Sequence, residues 1–164
     1  MKRTIVFGVC LGFALMLSGC GAGDVGGNLE TSETNLTMNQ DNYENNLDGL
    51  AKFMKDNNLI SGDGKETLAS FIYAEKGVKY QFKNNSSLVT IEFYDYGEGE
   101  ISESANKIIE SVKTEGKINI LDKDFSACMN GSGRYLMIYN DLSTNSENIS
   151  KAEKTKEIFS QFKS

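Results

Sequence analysis

From Asp41 onward the apolar residues recur at two different spacings, and the switches between them divide the chain into elements. Tyr43, Leu47, Leu50 and Met54 lie three or four positions apart, the spacing of one helical face. Asp41 with Glu44 three residues on has the form of a capping box, so a helix is expected from about Asp41 to Asn57. Asp63-Gly64-Lys65-Glu66 repeats that start signal ahead of Leu68, Phe71 and Ile72 and predicts a second, short helix. The period then drops to two. Val78, Tyr80 and Phe82 alternate with Lys79, Gln81 and Lys83, and after Asn84-Asn85-Ser86-Ser87 the apolar positions are Val89, Ile91 and Phe93. This is the pattern of a hairpin with one apolar face. Helical spacing returns from Ser102, with Ala105, Ile108, Ile109 and Val112 inward and Gly116 as the stop. Ile118 and Ile120 then mark one strand and Phe125–Met129 another, followed by the turn Asn130-Gly131-Ser132-Gly133 and the run Tyr135–Tyr139. Being apolar on both faces, that run reads as a central strand. Ser150 and Glu153 cap a last helix that presents Ala152, Ile158, Phe159 and Phe162.

The order ααββαβββα predicts an α+β fold, a mostly antiparallel sheet of about five strands packed with about four helices. A right-handed crossover through the third helix would make the strand before it and one after it parallel neighbours.

The first forty residues follow other rules. Lys2 and Arg3 precede an apolar run from Ile5 to Leu17, and small residues then lead to a cysteine. The run is shorter than the about 20 residues a membrane span needs, so it reads as a cleaved export signal. Leu17-Ser18-Gly19-Cys20 resembles the lipobox of bacterial prolipoproteins. That resemblance implies removal of residues 1–19 by cleavage between Gly19 and Cys20. It also implies a diacylglycerol and an N-acyl chain (a palmitate, for example) on Cys20, and residence on the extracytoplasmic face of the cell membrane. In size and composition the remainder is similar to the many small uncharacterised lipoproteins of low-GC Gram-positive bacteria, a likeness that carries no site residues. Residues 20–40, rich in Gly, Asn and Thr, read as a tether with a reach of roughly 25 Å. Residues 41–164 are the length of a single domain.

Composition narrows the chemistry. Cys10 leaves with the signal and Cys20 takes lipid, so the third cysteine, Cys128 in an apolar stretch, reads as a small core residue. Without Lys2 and Arg3, 15 basic side chains face 23 acidic ones, a net charge of −8. Such a charge argues against nucleic acid as a partner. The chain has no His, which removes imidazole as base or metal ligand.

Few constellations remain. Glu92, Asp95, Glu98 and Glu100, with Gly97 and Gly99 among them, are a candidate for a hard cation, although their spacing matches no calcium loop. The acidic stretch 56–67 fails as an EF-hand, because aligning Gly64 with the obligatory glycine puts Leu59 at the first ligand position and Ser70 where the bidentate Glu belongs. Ser104-Ala105-Asn106-Lys107 and Ser160-Gln161-Phe162-Lys163 both match Ser-x-x-Lys, without the partner motifs that serine acylation needs. Tyr94, Tyr96, Tyr135 and Tyr139 are expected to share a sheet face suited to protein or glycan contacts, unless the first two helices cover it. The expectation is a lipid-anchored, non-enzymatic binding or interaction domain with no cofactor beyond its lipid. Its alternatives are a small envelope hydrolase working through carboxylates and an accessory subunit of a transporter or sensor.

Overall fold

The structure, a computed structural model, describes residues 38–164; the expected signal peptide, Cys20 and nearly all of the expected tether lie outside the described residues. Six strands form one sheet: β1 (Lys65–Glu66), β2 (Lys76–Asn84), β3 (Ser87–Asp95), β4 (Lys117–Ile120), β5 (Lys123–Met129) and β6 (Tyr135–Asn140). Their order is β1-β2-β3-β6-β5-β4, and every pairing is antiparallel. Three α-helices accompany them, α1 (Leu47–Asp56), α2 (Glu103–Glu115) and α3 (Ser146–Gln161), with single 3-10 turns at Gln40–Asn42 and Ala69–Ile72. The α+β class is as the pattern predicts, with six strands and three helices in place of five and four. The parallel crossover is corrected: β3 meets β6 antiparallel, and the β4–β5 hairpin lies outboard of β6.

Burial alternates across the sheet. On one face Tyr80, Ile91, Phe93, Tyr135, Met137 and Tyr139 pack against Leu50, Phe53 and Met54 of α1 and Ile158 and Phe159 of α3. On the other, Tyr94, Leu136, Ile138 and Ala127 pack against Ala105, Ile109 and Val112 of α2 and against Ala69 and Ile72 of the second 3-10 turn. The sheet therefore lies between two helical layers of unequal extent, and β6, buried on both faces, is central as expected.

Three predicted elements move. The first helix starts at Leu47, where Asn46 accepts from the Gly49 N–H at 2.8 Å. Gly49 explains the late start: a Cβ there would lie 2.0 Å from the Glu44 carbonyl oxygen, so the preceding chain lies directly on the helix. The second helix does not form. A Cβ on Gly64 would meet the Tyr80 hydroxyl at 2.7 Å, and this close approach brings Lys65–Glu66 alongside β2 as a short edge strand. Tertiary pairing here overrides a local start signal. The last helix begins at Ser146, one turn before the expected Ser150, because Asn145 caps it. By contrast, Ser102 and Gly116 bound α2 as read, the latter left-handed at φ 67°.

Candidate functional site

The second helical layer does not cover its whole face. Between the β1-to-Ile72 segment on one side and the β4–β5 hairpin on the other lies an open cleft of about 480 Å³. Its floor is the outer face of β2, β3 and β6, bearing Lys79, Thr90, Glu92, Tyr94, Ile138 and Asn140. Leu68, Phe71 and Ile72 form one wall, Ile120 and Phe125 the other. Tyr94, at one end of the floor, belongs to the core on which α2 packs, and the polar Thr90 and Asn140 lie at the other end. Leu68 and Phe71 are each 67 % exposed, apolar surface that the fold has left uncovered. A concave, mostly apolar site with a few convergent polar groups has the form expected of a small-ligand pocket. A more polar depression of about 750 Å³ runs beside α3, where Lys156 Nζ donates to Ser126 Oγ at 2.7 Å.

Electrostatics in the cleft centre on β3. The Tyr94 hydroxyl donates to Glu92 Oε2. Burial pushes the Tyr94 phenol well above its usual range and the bond to Glu92 adds to this, while Thr67 opposes it. The phenol therefore stays protonated and orients the carboxylate. Gln81 Nε2 donates to Thr90 Oγ1 at 3.2 Å, tying the polar end of the floor together.

The four acidic candidates are not gathered around a common point. Arg134 binds Asp95 through two bonds, Nε to Oδ1 at 2.7 Å and Nη2 to Oδ2 at 2.9 Å, and its Nη1 reaches Glu98 at 2.5 Å. Asp95 also accepts from the Gly97 N–H at 2.8 Å. This clamp joins the end of β3 to the start of β6 and leaves Asp95 with three donors and the exposed Glu98 with one. Glu92 lies in the cleft, and Glu100 is exposed ahead of α2. Among the described residues no three Asp, Glu or Cys side chains converge as metal ligands. The Ser-x-x-Lys matches hold no Ser–Lys contact: Lys107 pairs with Glu103 at 2.7 Å, and Ser160 donates to the Glu157 carbonyl.

The tyrosine face is corrected. Tyr94, Tyr96, Tyr135 and Tyr139 are all 6 % exposed or less, and they lie on opposite sides of the sheet. Tyr135 and Tyr139 are in the α1–α3 core. Tyr94 and Tyr96 are under the 3-10 turn and α2, with the Tyr96 hydroxyl donating to Ile72 O at 3.1 Å. The four share no exposed face, and of them Tyr94 reaches the cleft, at one end of its floor. Cys128 is free and half-buried against the α1–α3 core; burial pushes its thiol up to about 12, against an opposing pull from Lys156.

Sequence reasoning assigned Phe71 to a helix interior and gave Lys79, Phe125 and Asn140 no role. The available signal was the polar side of the hairpin alternation, Lys79 and Gln81 opposite Thr90 and Glu92, which marks a sheet face that the core leaves free. No protein-family model, curated protein or solved structure matches the chain.

Proposed function

We propose that this chain is a lipid-anchored extracytoplasmic binding protein whose ligand site is the cleft between Phe71 and Phe125. The observation that carries the binding role is the uncovered apolar wall, Leu68 and Phe71, facing a floor with oriented polar groups. Exposed apolar surface of this kind, rimmed by polar residues, marks interaction sites in soluble domains. The address rests on Leu17-Ser18-Gly19-Cys20, and no helix among the described residues is long and apolar enough to cross a membrane.

Binding without chemistry is favoured over a carboxylate hydrolase by the engagement of the acids. Such hydrolysis needs two carboxyl groups facing each other across a substrate, with one kept protonated. Arg134 holds both Asp95 and Glu98 in ion pairs, and of the two acids that line the cleft Glu92 accepts from Tyr94 while Glu66 is exposed.

Fractionation of the producing cells tests the address. Wild-type protein is expected in the membrane fraction with the mass of a diacylated or triacylated Cys20, and Cys20→Ser protein is expected without lipid and released from the membrane. An unmodified thiol on mature wild-type protein would overturn the anchor.

A further inference from the structure

Lys79 on β2 and Glu92 on β3 are cross-strand partners, so their side chains rise from the same face of the cleft floor with Cβ atoms about 5 Å apart. Both residues are half-buried. Neither belongs to an ion pair among the described residues, with the other or with any third group. Tyr94 occupies Oε2 of Glu92 and leaves Oε1 open. An ammonium and a carboxylate thus stand side by side on a half-buried floor that includes Ile138, between the apolar walls of Phe71 and Phe125, with the exposed Glu66 also lining the cleft.

We infer that the cleft takes a zwitterion carrying an apolar side chain, either an apolar α-amino acid or a short peptide of such residues. The inference rests on the cleft being the binding site and adds the chemistry of its occupant. A ligand carboxylate meets Lys79 and its ammonium meets Glu92, while its side chain fills the space between Phe71 and Phe125. A purely apolar ligand would take water from both charges without offering either a partner, which is costly. A ligand with one charge would compensate one group and strand the other. Electrostatic complementarity therefore selects the dipolar form.

The test titrates full-length protein in mild detergent with L-phenylalanine, the dipeptide Phe-Leu, phenethylamine, 3-phenylpropionate and the uncharged N-acetylphenylalanine amide. Affinity is followed by calorimetry, and contact by the NMR signals of Phe71 and Phe125. Phenylalanine or the dipeptide is expected to bind about tenfold or more tightly than the uncharged and singly charged probes. Whichever of the two binds better separates a free amino acid from a peptide as the natural occupant. Lys79→Met should abolish the advantage of the carboxylate and Glu92→Gln that of the ammonium, each leaving the other preference in place. If the uncharged amide binds as tightly as phenylalanine, or if neither substitution alters the ranking, the zwitterion inference is overturned while the cleft remains a binding site. If no probe perturbs Phe71 or Phe125, the cleft reading falls as well.

Discussion

Leu121 has φ 50° and Asp122 φ 61°, so both central residues of the two-residue β4–β5 turn are left-handed. That geometry matches the twist of a hairpin, but it suits Asn and Gly rather than Leu, whose Cβ crowds the following carbonyl. The leucine gains no burial in return, being 85 % exposed. Leu121→Asn is therefore expected to raise stability by about 0.5–1 kcal/mol, read as a higher urea midpoint at unchanged slope. A lower midpoint would show that the side chain makes a stabilising contact. The same scale explains why the tyrosines were misassigned. Alternation places Thr90, Glu92 and Tyr94 on one face of β3 correctly, because that strand has one apolar and one mixed side. Tyr135–Tyr139 is apolar at every position, so its pattern is silent about register, and a shift of one residue exchanges the faces. The pairing Tyr94↔Leu136 puts Tyr135 and Tyr139 on the side opposite Tyr94.

Elements are held to one another by groups whose local role was readable and whose distant role was not. Asn130-Gly131-Ser132-Gly133 reads as a turn and is one, yet its principal partners are far along the chain. Asn130 Nδ2 donates to the Phe162 carbonyl at 2.8 Å, its Oδ1 accepts from the Tyr135 N–H at 2.9 Å, and the Gly131 N–H donates to Ser160 O at 2.8 Å. Asn130 thus fastens the end of α3 to the β5–β6 turn. Asn130→Ala strands a buried donor and acceptor and is expected to cost about 2–3 kcal/mol, with amide exchange accelerating first at the last turn of α3. Loss of less than about 0.5 kcal/mol would show that water replaces the side chain. The boundaries that were legible, Ser102 and Gly116 around α2 and the β2–β3 hairpin, depend on neighbours in sequence. Those that were not, the short β1 and the late start of α1, depend on Gly64 against Tyr80 and Gly49 against Glu44, contacts that no local pattern encodes. The cleft inherits this limit, since one of its walls is the segment that declines to be a helix.

At the scale of the whole molecule the buried phenols set an alkaline limit. Burial pushes Tyr96, Tyr135 and Tyr139 up to about 12, with nearby acidic charges adding to the shift at Tyr135 and Tyr139. A phenol whose pKa is higher in the folded state favours folding fully below its unfolded value of about 10, and that contribution is lost as pH rises toward the folded value. Stability should accordingly fall between about pH 10 and 12, with tyrosinate absorbance and loss of helix signal rising together in one transition. Titration of these tyrosines near pH 10 with the fold intact would contradict their burial. The α+β class was legible from the switch between helical and alternating periods, whereas the covering of both sheet faces was not. Strand order was not, because the two-sided β6 fits the middle of several arrangements.

That strand has a further consequence for how the molecule is made. Among the described residues β1–β2–β3 and β4–β5 share no ladder except through β6, which is made after all five. Until Tyr135–Asn140 and α3 have been synthesised, the chain holds two separate ribbons and an unfinished helical layer, and small ribbons of this kind have little stability in water. Closure then comes late and all at once. A polypeptide halted before β6 therefore has no way to join its two ribbons into one sheet.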